Sequence, residues 1–169
     1  MVAAAVLALV RPAPAFDPEA AFAKGTTVFG LQVGGGAANN VEGHRTVNGI
    51  SFLAATPRMS HLFFSPFGSG LLRSAVEPGI EGWFQYYLSP KEATAQGVKL
   101  AMRYHLIGFG RLVPYLEGTA GAGVSYFITD TAALNAGDRF QHISNGHTSN
   151  PNRGFNSDTG IGGVSFYFK

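Results

Sequence analysis

Apolar side chains recur at every second position over most of the chain, a period that fits strands and excludes amphipathic helices. The run Val98 to Leu106 shows it most clearly. Val98, Leu100, Met102, Tyr104 and Leu106 fall on one face, and Lys99, Ala101, Arg103 and His105 on the other. Leu72, Val76, Pro78, Ile80, Phe84, Tyr86 and Leu88 likewise oppose Arg73, Glu77 and Glu81. Leu112, Pro114 and Leu116 oppose Tyr115 and Glu117, while Val164, Phe166 and Phe168 oppose Ser165 and Tyr167. Seven strands can be read, at 26–36, 47–60, 70–88, 95–107, 111–127, 131–145 and 156–168. Single-chain bacterial membrane barrels have even strand numbers. The long segment 111–127, with Gly118, Gly121 and Gly123, therefore either hides a hairpin or marks a missing strand.

Alternating strands build either a soluble barrel, apolar side inward, or a membrane barrel, apolar side outward. The polar face carries Arg73, Glu77, Glu81, Lys99, Arg103, His105 and Glu117, a mixed-sign set suited to pairing inside a narrow lumen. A water-exposed surface would carry more charge: charged residues are 13% of the chain, against about 25% in soluble domains. Strands of ~9–11 residues match a membrane span. The expected fold is all-β, an antiparallel up-and-down transmembrane β-barrel of about eight strands, with a soluble lipocalin-like binding barrel as the alternative. About eight strands leave an interior just filled by side chains, which argues against a pore. The net charge of +2, without a long basic run, argues against nucleic acid as a partner. The chain has no Cys, so disulfides and Cys-based sites are excluded.

The N-terminus reads as a targeting segment. Met1 to Val10 is apolar, Arg11 follows, and Ala13-Pro14-Ala15 is a small-residue cleavage site, giving a signal peptide at 1–15 and a barrel domain at 16–169. Beyond it no stretch approaches the ~20 apolar residues of a membrane helix. Trp83 is expected as an interfacial anchor. His44, His61 and His147 lack ligand spacing, and Gly34-Gly35-Gly36 opens no helix, so neither a metal nor a phosphate-bearing cofactor is expected.

The chemistry concentrates near the C-terminal end. His142 and Ser144 lie two apart on a strand, project from one face and sit ~6.6 Å apart along it. A His there can act as general base for a Ser hydroxyl. Asn145 follows, where an amide donor can meet an oxyanion. Pro151, Asn152 and Gly154 form a turn, and Asn156 then enters the last strand, beside His142 if the two strands pair antiparallel. His-x-Ser alone is a weak signal. On a face turned to hydrocarbon, however, polar groups are functional by default.

The run His142-Ile143-Ser144-Asn145-Gly146, then Pro151-Asn152-x-Gly154-x-Asn156-Ser157, then a terminal strand, resembles the PagL-like lipid A 3-O-deacylase family. Ala75-Val76-Glu77-Pro78, Met102-Arg103-Tyr104-His105 and Val113 to Gly118 are weaker points of likeness, so the resemblance covers roughly 26–168. It implies an eight-stranded outer-membrane barrel whose substrate is lipid A, or lipopolysaccharide. The enzyme would hydrolyse the ester-linked 3-hydroxyacyl chain at position 3 through a Ser–His–acid triad on the lipid-facing wall, with no cofactor. It makes Ser144 the nucleophile, His142 the base, and Asn145 with Gly146 the oxyanion donors. Arg153 beside the site is a possible contact to a lipid A phosphate, or a solvated turn residue. The chain departs from the family in three places. Asn156 stands where the triad acid is a Glu, with Asp158 two residues on as a possible substitute acid. The stretch from Glu117 to His142 looks one hairpin short. Asp138 shares the His142 face mid-strand, where an apolar residue is expected. The competing reading is a non-catalytic barrel of the same ancestry, with a structural or lipid-binding role.

Overall fold

The computed structural model describes residues 16–39, 49–118, 120–143 and 155–169. Eight antiparallel strands close into one barrel: β1 (Thr27–Asn39), β2 (Ser51–His61), β3 (Ser74–Ser89), β4 (Ala93–Leu106), β5 (Leu112–Glu117), β6 (Gly121–Thr129), β7 (Ala132–Ile143) and β8 (Phe155–Phe168). Each strand pairs with the next, and β8 returns to β1 in a register running from Thr27 opposite Phe168 to Asn39 opposite Asn156. Segment 111–127 does hide a hairpin: β5 and β6 pair from Leu112–Tyr126 to Glu117–Gly121. No hairpin is missing before His142.

The barrel is inverted relative to a soluble one. Leu100 and Val98 are 83% and 75% exposed on the outside, while Glu77 and Arg103 are 0% and 2% exposed within. An apolar exterior and a polar interior are the arrangement of a transmembrane barrel. Among the described residues no helix is long and apolar enough to cross a membrane; the strands provide the span.

The lumen is filled in layers. At its middle, Glu77 accepts from Arg58 Nε at 3.1 Å, Ser60 Oγ at 2.6 Å and His105 Nε2 at 2.8 Å. Glu117 and Glu81 share the guanidinium of Arg139, and Glu117 also takes Arg103 Nε at 2.8 Å. At the end where β1 begins and β8 finishes, the filling is apolar. The helix α1 (Pro18–Ala21) has Asp17 as N-cap, accepting from the backbone N–H groups of Glu19 and Ala20, with Pro18 at the first helical position. It delivers Phe22 into a cluster with Leu62, Ile107, Val113, Phe127 and Tyr167. Arg73 is not inside the lumen as expected: it precedes β3 and pins α1 from outside, both its Nε and its Nη2 bonding Glu19, at 2.6 and 2.7 Å.

Trp83 also differs from expectation. It lies on the lumenal face of β3, packed so closely over Gly97 that a Cβ there would sit 2.6 Å from the indole Nε1. With Thr56, Lys99, Arg139 and Gln141 it lines a cavity of about 270 Å³ at the opposite end of the lumen.

Candidate active site

Strand alternation places every even position of β7 and β8 on the outer wall. On β7, Leu134, Ala136, Asp138 and His142 are exposed while Ala133, Asn135 and Arg139 are buried inside. On β8, Asp158, Gly160, Phe166 and Phe168 alternate with buried Ser157, Thr159, Ile161 and Ser165. His142 and Asn156 are direct cross-strand partners. Their side chains therefore meet outside the barrel, and Nδ1 of His142 lies 2.7 Å from Oδ1 of Asn156.

With the carbonyl end of Asn156 toward the ring, that contact selects one form of the neutral imidazole. A carbonyl oxygen only accepts, so the hydrogen must be on Nδ1. Nε2 is then left with its lone pair, facing away from the Asn, the form a general base requires. Ser144, the expected nucleophile, lies one residue beyond the end of β7. It falls outside the described residues, as do Asn145, Gly146 and Arg153.

Asp158 does not touch the imidazole. It stands two residues along β8, in register with Phe140 on one side and Ala37 on the other, and its Oδ2 accepts from the side-chain amide of Asn39. Asn39 in turn is the β1 partner of Asn156. His142, Asn156 and Asn39 thus form one row across β7, β8 and β1, with Asp158 in the row beneath. Asp138 is a further row down, exposed and paired with Gly160 and Ala122.

Sequence reasoning missed Asn39, which follows the small-residue stretch 34–38 of β1, and it missed the floor beneath the row. The outward positions there include Gly35, Ala37, Ala136, Gly160 and Gly162, small residues set among Asp138, Phe140 and Asp158, and the wall thickens at Val33, Leu31, Leu134 and Val164. The signal was present in the Gly34-Gly35-Gly36-Ala37-Ala38 run, since alternate small residues on an outer face subtract bulk from it. Among the described residues no group of His, Asp or Glu side chains is arranged to hold a metal ion.

The family model for lipid A 3-O-deacylase (PagL) matches residues 116–164, which supports a PagL-like assignment. The matched stretch runs from β5 into β8 and includes His142, Ser144 and Asn156. No curated protein matches the chain. Among solved structures, the crystal structure of Neisserial surface protein A (NspA) is similar at a TM-score of 0.35 and 11% identity, covering 86% of this chain and 98% of that chain.

Proposed function

We propose that the protein is an outer-membrane carboxylic ester hydrolase that removes the 3-O-linked 3-hydroxyacyl chain of lipid A. The observation that carries this reading is the 2.7 Å bond between His142 and Asn156 on the outer wall. A His held in its base-competent tautomer on a hydrocarbon-facing surface has no role in closing the barrel. Its reach is to molecules within the membrane leaflet.

In this reading the Ser144 hydroxyl attacks the ester carbonyl while Nε2 of His142 takes its proton. The oxyanion of the tetrahedral intermediate meets the Asn145 amide and the N–H of Gly146. Collapse breaks the bond to the sugar oxygen, which leaves with the proton from Nε2. Water then attacks the acyl-Ser144 ester by the same base, releasing a 3-hydroxy fatty acid and restoring the hydroxyl. Asn156 orients the ring, as Asn does in Cys–His–Asn proteases. The Gly/Ala positions supply room for an acyl chain lying against the wall, and in this reading Arg153 contacts a lipid A phosphate. Residues 1–15 act as the leader that directs export; N-terminal sequencing of membrane-extracted protein that began at Met1 would contradict this.

Mass spectrometry of lipid A from expressing cells tests the reaction. The expected product lacks one 3-hydroxyacyl chain, and Ser144→Ala abolishes its formation because no acyl-enzyme can form. His142→Ala should cost about as much, since triad members act as a unit. Unchanged lipid A from cells holding the folded barrel would leave the non-catalytic barrel, for which Asn in place of the acid is the supporting feature. Full activity in Ser144→Ala would overturn the mechanism.

A further inference from the structure

Asn156 alone is an incomplete orienting group. A carboxylate accepts from either oxygen, but a carboxamide has one acceptor end and one donor end, and rotation by about 180° exchanges them. With Nδ2 turned toward His142, the ring would have to place its lone pair on Nδ1 and its hydrogen on Nε2, and the base would be lost. In a serine protease, Asp→Asn at this position costs about 10⁴ in turnover through that wrong tautomer. A working site built on Asn156 needs something that prevents the flip.

Resting on the deacylase reading above, we propose that Asn39 is a positioning residue that relays the polarity of Asp158 to His142. Three observations support it. The Asn39 amide nitrogen donates to Asp158 Oδ2. Its carbonyl, Oδ1, is buried and has no hydrogen-bond partner among the described residues. Asn39 and Asn156 stand directly opposite each other on β1 and β8, where cross-strand Cβ atoms are about 4.5–5.5 Å apart, within reach of two amides.

The order of groups then follows from the anion. Asp158 accepts only, so it holds the NH₂ of Asn39 toward itself and aims the Asn39 carbonyl back along the row. In the relay that carbonyl accepts from the NH₂ of Asn156, the two amides rotating toward each other. Asn156 is then left with its own carbonyl toward His142, as observed at 2.7 Å. The chain reads Asp158 carboxylate, Asn39 amide, Asn156 amide, His142 imidazole, with every hydrogen bond pointing toward the carboxylate. Each link only orients, and no proton need travel along it. The site thus recovers from a carboxylate two amides away the tautomer control that a Glu at position 156 would give directly.

The tautomer can be read without turnover. The protein, refolded in detergent micelles with ¹⁵N-labelled histidine, contains five His, and His142→Gln identifies the signals of His142. The neutral ring should carry its hydrogen on Nδ1 in the parent, and Asn39→Ala or Asp158→Asn should shift population toward the Nε2–H form. An unchanged tautomer in both variants overturns the relay, whether or not the protein deacylates lipid A. If it does, Asn39→Ala should lower kcat about 10–100-fold, the range for partners that orient a functional His, and leave KM within about 2-fold. In an Asn156→Glu background the carboxylate touches the ring itself, so Asn39→Ala should cost less than about 3-fold, the difference being the coupling between the two sites. Equal losses in both backgrounds would reduce Asn39 to a strand-end packing residue and sink the proposal. An inactive parent with the expected tautomer shift would instead refute the deacylase reading and keep the relay.

Discussion

Replacing Arg139 by Met tests whether the lumen is a dry, paired core or a wet channel. Arg139 donates five hydrogen bonds: Nε to Glu117 at 2.6 Å, Nη1 to Glu81 at 2.7 Å, and Nη2 to Gln32, Glu81 and Glu117 at 2.8, 2.8 and 3.0 Å. Its side chain is 7% exposed, and those of Glu81 and Glu117 are 1% and 3% exposed. Charge counting alone suggests little harm, because Arg58, Arg103 and Lys99 still face Glu77, Glu81 and Glu117. Geometry argues otherwise. Without Arg139, Glu117 keeps Arg103 alone, and Glu81 keeps Lys99 at 3.1 Å and Arg58 at 3.9 Å. Removing one partner of a buried pair typically costs about 3–5 kcal/mol. Lys99→Met is the control: its side chain is 32% exposed and holds Glu81 alone, so about 0–1 kcal/mol is expected. Urea unfolding of the barrel in lipid vesicles, followed by fluorescence of Trp83, the only Trp, measures both. Equal small losses for the two variants would show that the lumen is hydrated enough to screen its charges, and the reasoning would fail.

Phe22→Ala should destabilise the barrel by about 3–5 kcal/mol in the same assay, since Phe22 is fully buried against His105, Phe127 and Tyr167. Gly34→Val should abolish the heat-modifiable folded band on gels, because a Cβ at Gly34 would lie 1.9 Å from the Gly160 carbonyl oxygen; Gly160→Ala, with nothing near its Cβ, should fold normally. The Arg73 hydrogen bond holds the Glu19 carboxyl below its ordinary value of 4.5. The pair's contribution is therefore full above about pH 4.5 and fades as pH falls through the lower folded value. Glu19→Gln should remove that fade from the pH dependence of unfolding, a small effect because the pair is largely in water. Asn156→Glu should raise the rate of lipid A deacylation; a variant no faster than the parent would mean that the amide already orients the ring as well as a charge does.

Period two carried most of the architecture, because one slip in register would turn every Leu of a strand inward and every Glu outward. The faces assigned to Val98–Leu106 and to Ile80, Phe84 and Leu88 hold in the structure for that reason. The same alternation placed Trp83 in the lumen, two residues from Glu81, and residue type proved a poorer guide than parity. The β5–β6 hairpin was obscured because β5 ends at Glu117 and β6 already begins at Gly121, so two strands read as one. Arg73 misled because the pattern ran on past the strand end: β3 begins at Ser74, and nothing in the alternation marks where pairing stops. At the site, the His142–Asn156 contact was legible because it depends on one hairpin and its register. Asn39 was not, because its place beside Asn156 arises only when β8 closes on β1, 117 residues away in sequence (156 minus 39).

Closure also explains why such a site can exist on this surface. Stability is held inside, by the Glu–Arg belt and the aromatic plug at the terminal end, so the outer face need only be apolar on average. A row of His142, Asn156 and Asn39 replaces three outward side chains near one rim without removing any lumenal contact. The backbone beneath is fixed by ladders on both sides of β8, with β7 and with β1. Imidazole and amides are thereby held on strands rather than loops, the more exact support for groups that must stay within a fraction of an ångström. The residues that complete the chemistry in our proposal, Ser144 and Asn145, come immediately after the last β7 residue.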